Sequence, residues 1–591
     1  MNSRSLDPPP DIDFSAAPLE PPTRADVEQA RAALAACEPA EAERLLNQLL
    51  ERTPRKDRAL ALLNDLLEGL KEPAEAVLAR IVRLDPNNLA ATQALSLSLF
   101  NRGALAEAEA HARNAVRLAP TDAQSHNLMG MIMTEAQRPQ VGERHYRQAA
   151  RLLDAPNAIL LANLAWNLKN QGKMAESREL YRQSVALAPE IFQTLYGWAQ
   201  MEEADRNFVR AGELLDEAET LAPNNPGVLL QRAILFGRDG AYDEALAALD
   251  AIEGRREGEG LGPVEWSAKG RLLDRMGRHR EAFAAFTEGK RTLRALTGQS
   301  YMEDEAAGLA GRLKAFFVAP RLKILPRAGL RADVAQPIFI VGFPRSGTTM
   351  IEQTLSAHPQ ISAGDELPIL NELTGLIPRM LGSPLDYPEA FSELWLGDQA
   401  EGLDNLRDHY LQRARQLGAV GNRARWFTDK MPLNETHLGL IALVFPQAPV
   451  IHLLRHPLDV VISVFSNHLT HGFRCAYDLV SIARHYALVM DLVEHYRREV
   501  PFKYLPIRYE DVIHRQEDSV RRMLAFVGAP YDRRCLDFHA NRRYARTASY
   551  AQVTEKLYDR SRERYRAYRE QLRPVIPILE PFIQRLGYRS D

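Results

Sequence analysis

Along residues 24–298 apolar side chains, mostly Ala and Leu, recur at three- and four-residue spacing between polar ones, the pattern of amphipathic helices. The pattern also repeats on a longer scale. The phrases VRLDP, VRLAP, ALAP and ETLAP close at Pro86, Pro120, Pro189 and Pro223, with 34 residues separating the first two and again the last two. Between them RLLDAP closes at Pro156. After Pro337 the pattern changes. IFIVG, PVIHLL and FKYLPIRYED are short β-branched or aromatic runs, each followed by a helical pattern. Strands alternating with helices predict a parallel α/β sheet.

A 34-residue period resembles the tetratricopeptide repeat, a helix–turn–helix unit that buries its face only by stacking on its neighbours. The clearest copy is NAILLANLAWNLKNQGKMAESRELYRQSVALAP, Asn157–Pro189, with Gly172 at the turn. Equivalent turns are expected near Gly103, Gly240 and Gly277. The expected layout is a proline-rich tail (1–25), a tetratricopeptide solenoid (26–295), a connector (296–334) and an α/β domain with a phosphate-loop-like parallel sheet (335–591).

Composition adds mostly exclusions. At 591 residues the chain exceeds a single core, and 46% apolar with 26% charged residues is ordinary for a globular protein. A formal net charge of -3 argues against nucleic acid or an anionic membrane as partner, so a basic site must be local. Cys37, Cys475 and Cys535 have neither a disulfide framework nor metal-ligand spacing. With no apolar run long enough for a membrane span and a polar, proline-rich start, a cytoplasmic setting is expected.

The candidate chemistry begins at PIFIVGFPRSGTTMIEQTL, Pro337–Leu355. A strand, a loop framed by Gly342 and Gly347, and a helix start form the layout of a phosphate-binding loop. The Lys expected after the second glycine is replaced by Thr348, and a cation, Arg345, stands inside the loop instead. Where a triphosphatase would place a magnesium-binding acid, the strand VIHLL ends in Arg455. The pattern points to an anion held by backbone N–H groups and cations, without metal.

The motif FPRSGTT resembles the 5'-phosphosulfate loop of the sulfotransferases that use 3'-phosphoadenosine 5'-phosphosulfate, and the likeness extends to the protein-tyrosine sulfotransferases. It implies that Arg345, Ser346, Gly347, Thr348 and Thr349 hold the 5' end of the donor. LLRHPLDVVISVF supplies Arg455 and, eight residues on, Ser463, the pair that in this family holds the 3'-phosphate. In SAGDELP the resemblance makes Glu366 the general base, with Asp365 as fallback, and in TDKMP it places Lys430 on the leaving oxygen. Tyr509 in IRYEDV is expected beside the nucleotide, and Ser549 and Lys556 in SYAQVTEK among its contacts.

Many small-molecule sulfotransferases use a histidine base instead. His358, His437, His452 and His456 are available, although Arg455 beside His456 disfavours its protonation. The array and the likeness to the tyrosine enzymes imply a peptide or protein acceptor. A small molecule or glycan acceptor stays open, as does a binding scaffold with an inactive transferase half. The tyrosine enzymes work in the secretory pathway and carry disulfides, features this sequence lacks.

Overall fold

The computed structural model describes residues 22–589, apart from 37–38, 54, 69, 71–73, 137, 255–259, 397–400, 468, 470–472 and 538–561. It divides into two compact units, Met1–Ala222 and Pro223–Asp591.

The first unit is helical throughout its described residues. First helices of successive pairs run over Leu89–Asn101, Ala123–Glu135, Ala158–Asn170 and Phe192–Ala204, and each packs on the helix that follows it. The period read from the prolines therefore marks the pairs. Asn88, Asp122 and Asn157 accept an N–H from the first turn of their helices, capping donors that have no intrahelical acceptor. Gly103 and Gly172 adopt φ of 81° and 74° at the turns, as expected. At the corresponding turn of the next pair Arg206 takes φ 63°, a conformation that costs a residue with a Cβ about 1–2 kcal/mol.

The second unit opens with two more helix pairs, Pro226–Asp239 with Tyr242–Glu253 and Pro263–Arg275 with His279–Thr297. Gly240 and Gly277 make their turns, at φ 81° and 76°. The stretch 296–334, read as a connector, contains helices Glu303–Phe316 and Ala319–Leu322, and Phe316 and Phe317 are buried in the main core. An all-parallel sheet follows, made of β1 (Gln336–Val341), β2 (Ile361–Ser362), β3 (Trp426–Asp429), β4 (Pro449–Leu454) and β5 (Lys503–Arg508). Its order is β2-β3-β1-β4-β5. The three strand runs read from sequence are β1, β4 and β5.

Both sheet faces are covered, which is why β1 and β4 read as continuous apolar runs. Phe339, Val341, Phe427 and Val450 face one core, and Ile338, Ile340, Ile451 and Leu505 face the other. The order has a direct consequence. From β1 the chain runs to β2 and β3 on one side and then crosses to β4 and β5 on the other, so a crevice opens at the carboxyl ends of these strands. Register aligns those ends: Phe339 pairs with Asp429, Val341 with His452, and Leu454 with Arg508.

Candidate active site

Every sequence-predicted site residue among the described ones follows the carboxyl end of a strand. Gly342–Thr349 follow β1, Asp365 and Glu366 follow β2, Lys430 follows β3, Arg455 and Ser463 follow β4, and Tyr509 follows β5. Ser549 and Lys556 lie outside the described residues.

The loop after β1 depends on its glycines. A Cβ on Gly342 would lie 2.6 Å from the carbonyl oxygen of Leu453, and one on Gly347 would lie 2.9 Å from the Tyr509 ring. Arg345 and Gly347 take φ of 73° and 104°, left-handed conformations that curl the loop tightly before the helix begins. The helix Thr348–Ser356 then begins, and its first amides have no intrahelical acceptor. Ser346, Thr348 and Thr349 are buried.

Two chain segments meet on this loop. Arg345 Nε donates to Ser463 Oγ at 3.2 Å, and Arg455 Nη1 donates to the carbonyl of Arg345 at 3.0 Å. The Arg455 guanidinium also lies 4.9 Å from the centroid of the Tyr509 ring. Arg345, Arg455, Ser463 and Tyr509 are thus one cluster, although up to 164 positions separate them in the sequence, from 345 to 509.

The second part of the site is an ion pair. Lys430 Nζ donates to Glu366 Oε1 at 2.5 Å. The lysine side chain is fully buried, while that of Glu366 is 41% exposed, so the carboxylate can be reached from solvent. Beneath the pair lies a carboxylate that sequence reasoning missed. Glu352, fully buried on the loop helix, accepts Thr428 Oγ1 at 2.7 Å and the N–H of Asp365 at 3.0 Å. Lys430 N–H in turn donates to the carbonyl of Asp365 at 2.9 Å. The loop helix, the turn after β2 and the end of β3 are therefore tied together, and Asp365 serves the tie through its backbone while Glu366 meets the ammonium.

Asp429 sits behind Lys430, fully buried, and accepts Tyr410 Oη at 2.6 Å and Asn434 Nδ2 at 3.2 Å. Burial, reinforced by the charge of Glu352, pushes its carboxyl up to about 7, against the hydrogen bonds that hold it down.

The four histidines are engaged elsewhere. His456 accepts the N–H of Leu458 and stacks on Tyr565, with centroids 4.2 Å apart. His358 meets the carbonyl of Pro530 at 3.1 Å. His452 lies between Tyr504 Oη and Glu435. Burial pushes the His437 imidazole down to about 4, and its Nδ1 faces Tyr387 Oη.

Among the described residues no group of three or more His, Cys, Asp or Glu side chains is arranged to hold a metal, and no helix is long and apolar enough to cross a membrane.

The sheet domain and the helical array each have counterparts among known proteins. Residues 337–533 match the Sulfotransferase family, and residues 158–191 match the Tetratricopeptide repeat. The chain joins a helical array with a tetratricopeptide-repeat match to a parallel-sheet domain with a sulfotransferase-family match.

Among individual relatives, an uncharacterized protein of Aquifex aeolicus is 34% identical over 260 residues, covering 42% of this chain and 33% of that one. Protein-tyrosine sulfotransferase 1 of Danio rerio is 29% identical over 208 residues, covering 33% of this chain and 54% of that one. Protein-tyrosine sulfotransferase A of Caenorhabditis elegans is 26% identical over 205 residues, covering 34% and 51%. The chain spans a third to about half the length of these relatives.

Proposed function

We propose that the protein is a sulfotransferase that moves a sulfuryl group from 3'-phosphoadenosine 5'-phosphosulfate to an acceptor hydroxyl on a peptide or protein. The observation that carries this reading is the convergence of Arg345, Arg455 and Ser463 by direct contacts over one glycine-framed loop. A nucleotide with an anionic group at both its 5' and 3' positions fits the residues present. Ser346 Oγ is buried with no hydrogen-bond partner among the described residues, and the loop leaves no room for a Cβ at Gly342 or Gly347.

In this reading the loop amides, Ser346, Thr348, Thr349 and Arg345 hold the 5' end, while Arg455 and Ser463 hold the 3'-phosphate and Tyr509 packs beside it. Ser549 and Lys556 complete the nucleotide contacts. The donor supplies an activated sulfuryl group whose bond to the 5'-phosphate breaks as the acceptor oxygen bonds to sulfur. Glu366 takes the acceptor proton, and Lys430 offsets the charge that develops on the leaving phosphate. Cations and hydrogen bonds carry out these roles without a metal ligand.

The names of the relatives from Danio rerio and Caenorhabditis elegans support a tyrosyl acceptor, and a helical array is suited to hold a peptide. A cytoplasmic setting accords with the buried free thiols of Cys475 and Cys535.

The test is transfer of radiolabelled sulfuryl from the donor to tyrosine-containing peptides, with 3'-phosphoadenosine 5'-phosphate released in equal amount. Label on the tyrosine supports the reading. Donor binding with no transfer to any tyrosine peptide would refute the acceptor class and leave a donor site of other purpose.

A further inference from the structure

The last helix pair of the array, Pro263–Arg275 and His279–Thr297, reaches the far end of the helix that carries Ser463. That helix, Pro457–Phe465, belongs to the same unit. Lys290, 7% exposed, sends its ammonium to the carbonyl of Asn467 at 2.7 Å. A buried ammonium gives up hydration that a single carbonyl does not replace, so it is costly unless the contact is held firmly. Beside it Phe283 stacks on Phe465, with ring centroids 5.1 Å apart.

Asp274 makes the second connection. It pairs with Arg564 Nη2 at 3.1 Å and accepts the hydroxyl of Tyr568. Arg564 Nη1 donates in turn to Ser466 Oγ at 2.9 Å. The residues around Arg564 are themselves fixed to the nucleotide cluster. Asp459, fully buried one turn before Ser463, accepts the N–H groups of Glu563 at 2.8 Å and Tyr565 at 2.9 Å. Its other neighbour is Arg455, whose Nη2 lies 3.8 Å away.

Two routes therefore run from the repeat to the expected 3'-phosphate residues. One passes from Lys290 through Asn467 to the end of the Ser463 helix. The other passes from Asp274 through Arg564 and Asp459 to Arg455. Neither Asp274 nor Lys290 belongs to the cluster that would touch nucleotide.

We propose that this last repeat is part of the frame of the donor site, with Asp274 and Lys290 as positioning residues that hold Arg455 and Ser463 in place for a 3'-phosphate. This rests on the nucleotide reading above. It has a reciprocal consequence: if the order of this helix pair favours nucleotide binding, bound nucleotide must favour the order of the helix pair to the same extent.

The test uses the full chain and 3'-phosphoadenosine 5'-phosphate. Its affinity is measured by calorimetry for wild type, Asp274→Asn, Lys290→Met and the control Arg291→Ala, at a temperature where each unfolding curve shows a folded protein. Arg291 lies on the same helix with its side chain 71% exposed. The expected result is about tenfold weaker binding in the first two variants and wild-type binding in the control. In parallel, hydrogen exchange on wild type should show amides of residues 263–297 slowed when the nucleotide is added.

Folded variants with wild-type affinity overturn the proposal. If the variants do not fold, the exchange experiment decides, and unchanged exchange across 263–297 overturns it. If wild type does not bind this nucleotide at all, the nucleotide reading fails and the inference falls with it, an outcome distinct from the first two.

Discussion

At the scale of single residues, the central assignment divides the work between Glu366 and Lys430. Replacing Glu366 with Gln removes the base but keeps an oxygen facing the lysine. Transfer should slow by about 100- to 10,000-fold while affinity for 3'-phosphoadenosine 5'-phosphate changes little, measured as kcat against nucleotide Kd. A loss confined to nucleotide affinity would assign Glu366 to binding instead. Asp429 gives a prediction about stability. Its carboxyl is raised in the fold from the ordinary carboxylate value to about 7, so between roughly pH 4 and 7 the folded state keeps a proton that the unfolded chain releases. Its favourable contribution is therefore full below pH ~4 and is lost as pH rises through about 7. Asp429→Asn abolishes that titration. Denaturant unfolding should show the variant gaining on wild type as pH rises across the window and levelling above it. A constant difference across the window would show that Asp429 titrates normally.

At the scale of elements, the carboxyl-end loops are precise because buried groups tie them to one another. Glu352→Ala would leave the N–H of Asp365 and the hydroxyl of Thr428 without their buried acceptor, at about 1–3 kcal/mol each. The variant should unfold at lower temperature and lose transfer, whereas Glu352→Gln, which keeps an acceptor oxygen, should stay near wild type. Equal damage from both would mean that the charge is what matters. Gly347→Ala places a Cβ at φ 104° and against the Tyr509 ring, so nucleotide binding should be lost with about 1–3 kcal/mol of stability. A variant that bound nucleotide as wild type does would show that the loop relaxes there.

The sequence made some of these elements readable and hid others for physical reasons. β1 and β4 showed as apolar runs because each is six residues long and buried on both faces, and β5, an edge strand of the same length, showed through its aromatic and alternately buried aliphatic residues. β2 has two residues and β3 four, one of them a buried Asp, so neither carries a periodic signal. Lys430 was placed by family likeness alone. Glu352 looked like one polar position in a helix start. It was hidden because the helix Thr348–Ser356 buries its first eight residues, polar ones included, and its sequence carries no apolar run that would announce this. In 296–334 the acidic first turn of Glu303–Phe316 and the adjacent Phe316 and Phe317 marked a docked helix, but the missing repeat hid it.

At the scale of the whole molecule, periodicity revealed the helical pairs because stacking repeats impose the same apolar spacing on every copy. The place where compactness divides the chain was not readable. The repeat pattern runs through Ala222 and Pro223 without a change, and the division depends on which helices pack together across long sequence separations. The same holds for Asp274 and Arg564, whose pairing no local pattern announces. The molecule-wide claim is that a metal-independent nucleotide site distinguishes a 3'-phosphate from its absence. Its most direct test is calorimetric titration of 3'-phosphoadenosine 5'-phosphate without metal, beside ADP with magnesium, on wild type and Arg455→Ala. The account predicts tight binding of the first ligand only, and a preference that the substitution removes, at about 1.5–3 kcal/mol for the lost charge-assisted contact. Equal binding of ADP with magnesium, or no binding of either, would contradict it.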